Sequence, residues 1–135
     1  LDVINHLAPY LPADTVLVVP QYKNIAFVDG PGGKETQIEW ENQWLERADI
    51  IAMNLSVHWK NPDGSPGNIG PTTRFETGYY FAKSDQKELI VFVPTDPKPD
   101  ALDWIEFHAY NRGIPVHHEY PEFYQAILDR AHSQK

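Results

Sequence analysis

Cysteine is absent from all 135 residues, which excludes disulfides, thiol nucleophiles and thiolate-bound metals together. Cations are scarce. The chain holds 11 Lys and Arg against 19 Asp and Glu, a formal charge of -8. Binding along a phosphate backbone needs clustered cations, so no nucleic-acid partner is expected. A pocket for one nucleoside or nucleotide needs only a few groups and stays open. No apolar run approaches the roughly 18 residues of a membrane span, and no signal peptide is visible. The expectation is a soluble, cytoplasmic chain with no membrane partner. What the chain does have is 41% apolar and 13% aromatic residues, a globular composition. The length suits one domain over 1–135. The sequence opens at Leu1 without methionine and already in a helix-like pattern, so an element before Leu1 is expected.

Helix and strand patterns alternate. A helix near 1–11 ends before Pro12, because the residue preceding a proline avoids the helical region. "TVLVVP" (15–20) and "DIIAMNLS" (49–56) read as strands buried on both faces. "VDGPGGK" (28–34) is a turn-rich loop, and Ile38, Trp44, Leu45 and Ala48 mark a helix over 35–48. Residues 57–71, dense in proline and glycine, are irregular. A helix follows over about 72–83, a strand at "ELIVFVP" (88–94), and a helix over 101–113 closed by Gly113. "IPVHH" is a short strand, and the last helix (121–135) starts on a proline. Strands alternating with helices predict an α/β, three-layer α/β/α domain with a parallel Rossmann-like (flavodoxin-like) sheet. Ligands bind such sheets beyond the carboxyl ends of the strands, which selects the loops after Pro20, Ser56 and Pro94.

"GPTTRFETGYYFA" (70–82) closes the second of these loops. Starting the helix near Thr72 puts Glu76 about one turn in, near the positive end, where an ionised carboxylate is favoured. Such a carboxylate can attack an anomeric carbon. It can equally cap the helix or offset its dipole, and the spacing alone favours that reading. Thr72 and Thr73 are N-cap hydroxyls or ligand contacts. Gly78 inside a helix costs about 1 kcal/mol against alanine, which suggests close approach by another backbone.

"TQIEWENQWLERADIIAMNLS", then "GPTTRFETGYYFA" and "KELIVFVPTD", resemble the nucleoside 2-deoxyribosyltransferase-like superfamily. The likeness is to its branch with a Trp-Glu pair, an Ala-Asp-hydrophobic strand and a Pro-x-Thr-x-aromatic-Glu-x-Gly segment. It covers roughly residues 15–95. The resemblance implies that Glu76 is the nucleophile that attacks C1′ and displaces the base. It implies that Glu41 contacts the sugar or protonates the leaving base, that Asn54 and Ser56 line the pocket, and that Asp49 caps a helix-to-strand junction. It also implies a first strand and a glycine-rich or tyrosine-bearing loop before Leu1, and assembly as a homo-oligomer. The transferases carry an acid near Ser56 and another where this chain has Gly70, which is retained here as a pocket residue.

Elsewhere, Tyr22, Phe27 and Trp59 sit in loops at the expected mouth, suited to stacking on a base. Trp40 and Trp44, four apart, are read as packing together. Trp104, Phe107 and Tyr110 are read as packing on the sheet, with an oligomer surface as their other use. His117 and His118 on a strand point to opposite faces and cannot share an ion. His58 and His108 lack ligand spacing, so no metal or other cofactor is implied. "VDGPGGK" lacks the order of a phosphate-binding P-loop. Three functions follow: cleavage or exchange of a nucleoside N-glycosidic bond; NAD or nucleotide N-glycohydrolysis, echoed faintly by "GNIGPTTRFETG"; and a nucleotide-sensing module without turnover.

Overall fold

A computed structural model describes residues 3–19, 34–56, 62–64, 71–95, 98 and 101–133. The chain divides into two compact units, 1–49 and 50–135.

The first unit contains helix α1 (Val3–Leu7), a 3-10 turn at Ala8–Tyr10, and helix α2 (Lys34–Arg47). Leu11 after the turn is extended, at ψ 152°, the backbone that Pro12 demands of its neighbour. The strand expected at 15–20 does not form over the described residues 15–19, and Val16 is 74% exposed. An apolar run becomes a strand only when a ladder satisfies its backbone, and these residues carry none. On α2 the expected apolar face is shallow: Trp44 and Leu45 are half-buried, while Ile38 is exposed. Trp40 and Trp44 meet edge to face at 6.3 Å, as their spacing predicts, and the Arg47 guanidinium lies 5.8 Å from the Trp44 ring centre.

The second unit contains a parallel sheet in the order β1 (Ile50–Asn54), β2 (Glu88–Phe92), β3 (Val116–His117). Helices α3 (Pro71–Ala82), α4 (Ala101–Asn111) and α5 (Tyr120–Ser133) alternate with the strands, so the chain is α/β. α5 packs against all three strands, and α4 against β3 and α3. β2 is the core: Leu89, Ile90, Val91 and Phe92 are all buried, as a continuous apolar run in a central strand requires. β1 differs from the strand buried on both faces that its composition suggested. Ile51 is buried but Ala52 and Asn54, which share the other face of the strand, are exposed, the alternation of a strand covered on one face.

Helix ends follow their punctuation. Pro71 opens α3, where its missing N–H costs nothing. α4 closes in a Schellman motif: Ile114 N–H donates to the Ala109 carbonyl at 2.9 Å and Gly113 N–H to Tyr110 at 3.2 Å. Gly113 takes φ 67°, the left-handed conformation the motif needs, and Ile114 is buried behind it. Gly78 does not serve the close approach expected of it. It is exposed, and among the described residues a Cβ there would meet nothing within 4 Å.

Candidate functional site at the carboxyl edge of the sheet

The register sets the site. Asn54 pairs with Phe92, and Phe92 with His117, so the three side chains form one row on the same face at the carboxyl ends of the strands. One position further, Leu55 N–H donates to the Phe92 carbonyl at 3.0 Å and Val93 N–H to the His117 carbonyl at 2.9 Å. These bonds carry the ladder one position past the strand ends.

Tyr120, the first residue of α5, spans this edge. Its ring lies flat on Phe92, with centroids 4.1 Å apart and planes 8° from parallel. Its hydroxyl reaches β1, donating to Ser56 Oγ at 3.2 Å and accepting from Asn54 Nδ2 at 3.4 Å. Ser56 N–H donates to Asn54 Oδ1 at 3.1 Å, a local turn that fixes the amide. A carboxamide has two N–H donors. Among the described residues Tyr120 takes one, which leaves the other for a ligand. The resemblance pointed to Asn54 and Ser56, and they do meet. Tyr120 joins them unforeseen, because its role depends on register between distant segments; the only local signal was a tyrosine directly before the helix-opening Pro121.

Two histidines border the edge, and they do not share an environment. His118 Nδ1 lies 3.0 Å from the Val93 carbonyl. A carbonyl only accepts, so Nδ1 carries the proton and a neutral ring keeps Nε2 as an acceptor. His117 Nε2 is buried and has no hydrogen-bond partner among the described residues. Across the described residues no three His, Asp or Glu side chains are grouped to hold a metal ion.

Glu76 lies on α3, half-buried beside the fully buried Thr77. The turn at 83–87 ties the end of α3 to the start of β2. Glu76 is the sixth residue of the helix and falls outside its first turn, which holds no acid. The helix dipole acts mainly within that turn, so the expected dipole stabilisation is largely lost.

Glu41 lies on α2, in the first unit, and is half-buried. Loss of water around it pushes its carboxyl above the usual glutamate range, since burial disfavours the charged form. Asp49 is exposed in the bend between α2 and β1. Thr72 and Thr73 are helical, in the first turn of α3. Gly70, Tyr22, Phe27, Trp59 and His58 lie outside the described residues. So do residues 57–61 and 65–70, between β1 and α3 in sequence.

No protein-family model matches the chain, and neither a curated protein nor a solved structure matches it. Among the described residues no helix is long and apolar enough to cross a membrane.

Proposed function

We propose that the chain cleaves or exchanges the N-glycosidic bond of a (deoxy)nucleoside or nucleotide, with Glu76 as nucleophile. The observation that carries this is the polar edge of the parallel sheet. Asn54, Ser56 and Tyr120 converge there, and Glu76, half-buried on α3, belongs to the same unit. Hydroxyl and carboxamide groups of this kind suit a sugar, and a carboxylate is the group that attacks its anomeric carbon. The glycosidic chemistry itself rests on the motif likeness to the nucleoside 2-deoxyribosyltransferase-like superfamily.

In this reading a Glu76 oxygen bonds to C1′ as the C1′–N bond breaks, and the bonding pair leaves with the base. The motif likeness is what assigns to Glu41 the proton the base takes up. A carboxyl pushed up by burial holds a proton further toward neutral pH than a solvated one, which supports that role. Water, or a second base, then attacks C1′ and frees Glu76. The same reading includes the three-layer Rossmann-like arrangement and a cytoplasmic location.

The test is a rapid acid quench during turnover, followed by intact-mass and peptide analysis. The expected result is a glycosyl adduct on the peptide holding Glu76. An adduct on another residue removes Glu76 from the role.

A second reading keeps the binding and drops the chemistry, as a nucleotide-sensing module. Two observations favour it: Glu76 lies beyond the first turn of α3, and Gly70 stands where the transferases carry an acid. Under this reading nucleotides raise the melting temperature without releasing base.

A further inference from the structure

The polarity of the carboxamide at the sheet edge is fixed by its neighbours. Ser56 N–H, a backbone group that can only donate, lies 3.1 Å from one end of the Asn54 amide, so that end is Oδ1. The other end is then the NH2 group, and the Tyr120 hydroxyl 3.4 Å away accepts from it. This leaves the phenolic proton for Ser56 Oγ at 3.2 Å. The bonds close a ring from Ser56 to Asn54 to Tyr120 and back to Ser56, each group donating to the next. Reversing the amide would break the ring at the backbone N–H, which has no second polarity. The Tyr120 ring is held in its place by stacking on the buried Phe92 at 4.1 Å and on Tyr124 at 5.8 Å.

Asn54 is exposed, and one of its two N–H donors has no acceptor among the described residues. We propose that this N–H recognises the base of the ligand through an exocyclic carbonyl oxygen, with Tyr120 as the positioning residue that keeps it turned outward. The inference rests on the nucleoside reading above and narrows its substrate class. It selects bases that carry an oxo group where adenine and cytosine carry an amino group.

Other ligand groups use this edge less well. A phosphate calls for cations, and none of Asn54, Ser56 and Tyr120 is one. A sugar hydroxyl both donates and accepts, so it could bond either end of an amide and gains nothing from a fixed polarity. An exocyclic amino group presents donors and would meet the Asn54 N–H donor to donor. A carbonyl oxygen is the group for which the locked orientation decides binding.

Isothermal titration calorimetry tests this with two pairs of ligands, 2′-deoxyinosine against 2′-deoxyadenosine and 2′-deoxyuridine against 2′-deoxycytidine. The full chain carries Glu76→Gln in every titration, so that turnover does not consume the ligand. The oxo member of each pair binds about tenfold or more tighter. Asn54→Asp turns the outward donor into an acceptor, keeps oxygens for Ser56 N–H and Tyr120, and reverses the preference. Tyr120→Phe keeps the stack, frees the amide to turn, and shrinks the preference by roughly threefold or more. Circular dichroism checks that each variant is folded. Equal affinity for both members of each pair overturns this proposal alone, as does a preference that Asn54→Asp leaves unchanged. Equal weakening of both members by Asn54→Asp assigns the amide to the sugar and also overturns it. If no nucleoside binds, the nucleoside reading falls with it. The expected preference in a chain whose parent form releases no base would uphold this proposal and remove the glycosidic chemistry.

Discussion

The Tyr120 ring rests on the Phe92 ring at 4.1 Å, nearly parallel. Through that contact the first side chain of α5 crosses the central strand and hydrogen-bonds to the end of β1. Sheet, helix and candidate site are joined at a single residue. Tyr120→Phe keeps the stack and removes the hydroxyl, leaving Asn54 and Ser56 without their common partner. The expected loss is about 1 kcal/mol in denaturant unfolding. Tyr120→Ala also loses the stack and costs about 3 kcal/mol. Equal effects from the two variants would mean that the ring contributes nothing.

The two described helical glycine sites should respond to alanine in opposite directions. Gly78 has open space around its missing Cβ, so Gly78→Ala stabilises by about 0.5–1 kcal/mol through helix propensity. Gly113 sits at φ 67° in the Schellman motif, so Gly113→Ala destabilises by about 1 kcal/mol. Thermal melts of both variants check the pair. A Gly78→Ala variant less stable than the parent chain would point to a neighbour that approaches this face.

Glu41 makes a pH-dependent prediction. Its folded-state carboxyl is raised by burial, so the folded chain binds this proton more tightly than the unfolded one. Stability attributable to Glu41 is therefore greatest at acid pH and falls as pH rises from the unfolded value through the raised folded one. Glu41→Gln removes the cost of the buried charge. The variant should be more stable than the parent at neutral pH, with the gain shrinking toward pH 4. Denaturant midpoints across pH 4–8 measure this, and a constant difference between the two chains would contradict it.

Much of the second unit was legible because its signals are local. A continuous apolar run marked β2, prolines opened α3 and lay at the start of α5, and Gly113 closed α4. Where the reading failed, the deciding partner was distant. Nothing within "TVLVVP" says whether another strand will pair with residues 15–19, and none does among the described residues. β1 looked buried on both faces by composition, yet its exposure depends on which neighbours the sheet supplies. Gly78 suggested a close neighbour by residue type, but the space around it is set by tertiary packing. Motif likeness singled out Asn54 and Ser56, which the structure brings together with Tyr120. Tyr120 depends on the pairing of Asn54 with Phe92 across the sheet, which no local pattern encodes. The aromatic face of α4 was visible as a pattern, and only burial showed which side faces water.

The most direct measurement of the functional reading compares the chain with its Glu76→Gln variant. Both are incubated with 2′-deoxynucleosides and with nucleoside 5′-monophosphates, each with and without a foreign base, and free and exchanged bases are quantified. The expected result is release or exchange of base by the parent chain, lowered about a thousandfold or more in the variant, with an unchanged melting temperature. Base release by Glu76→Gln at the parent rate, or no release by the parent from any of these substrates, would contradict it.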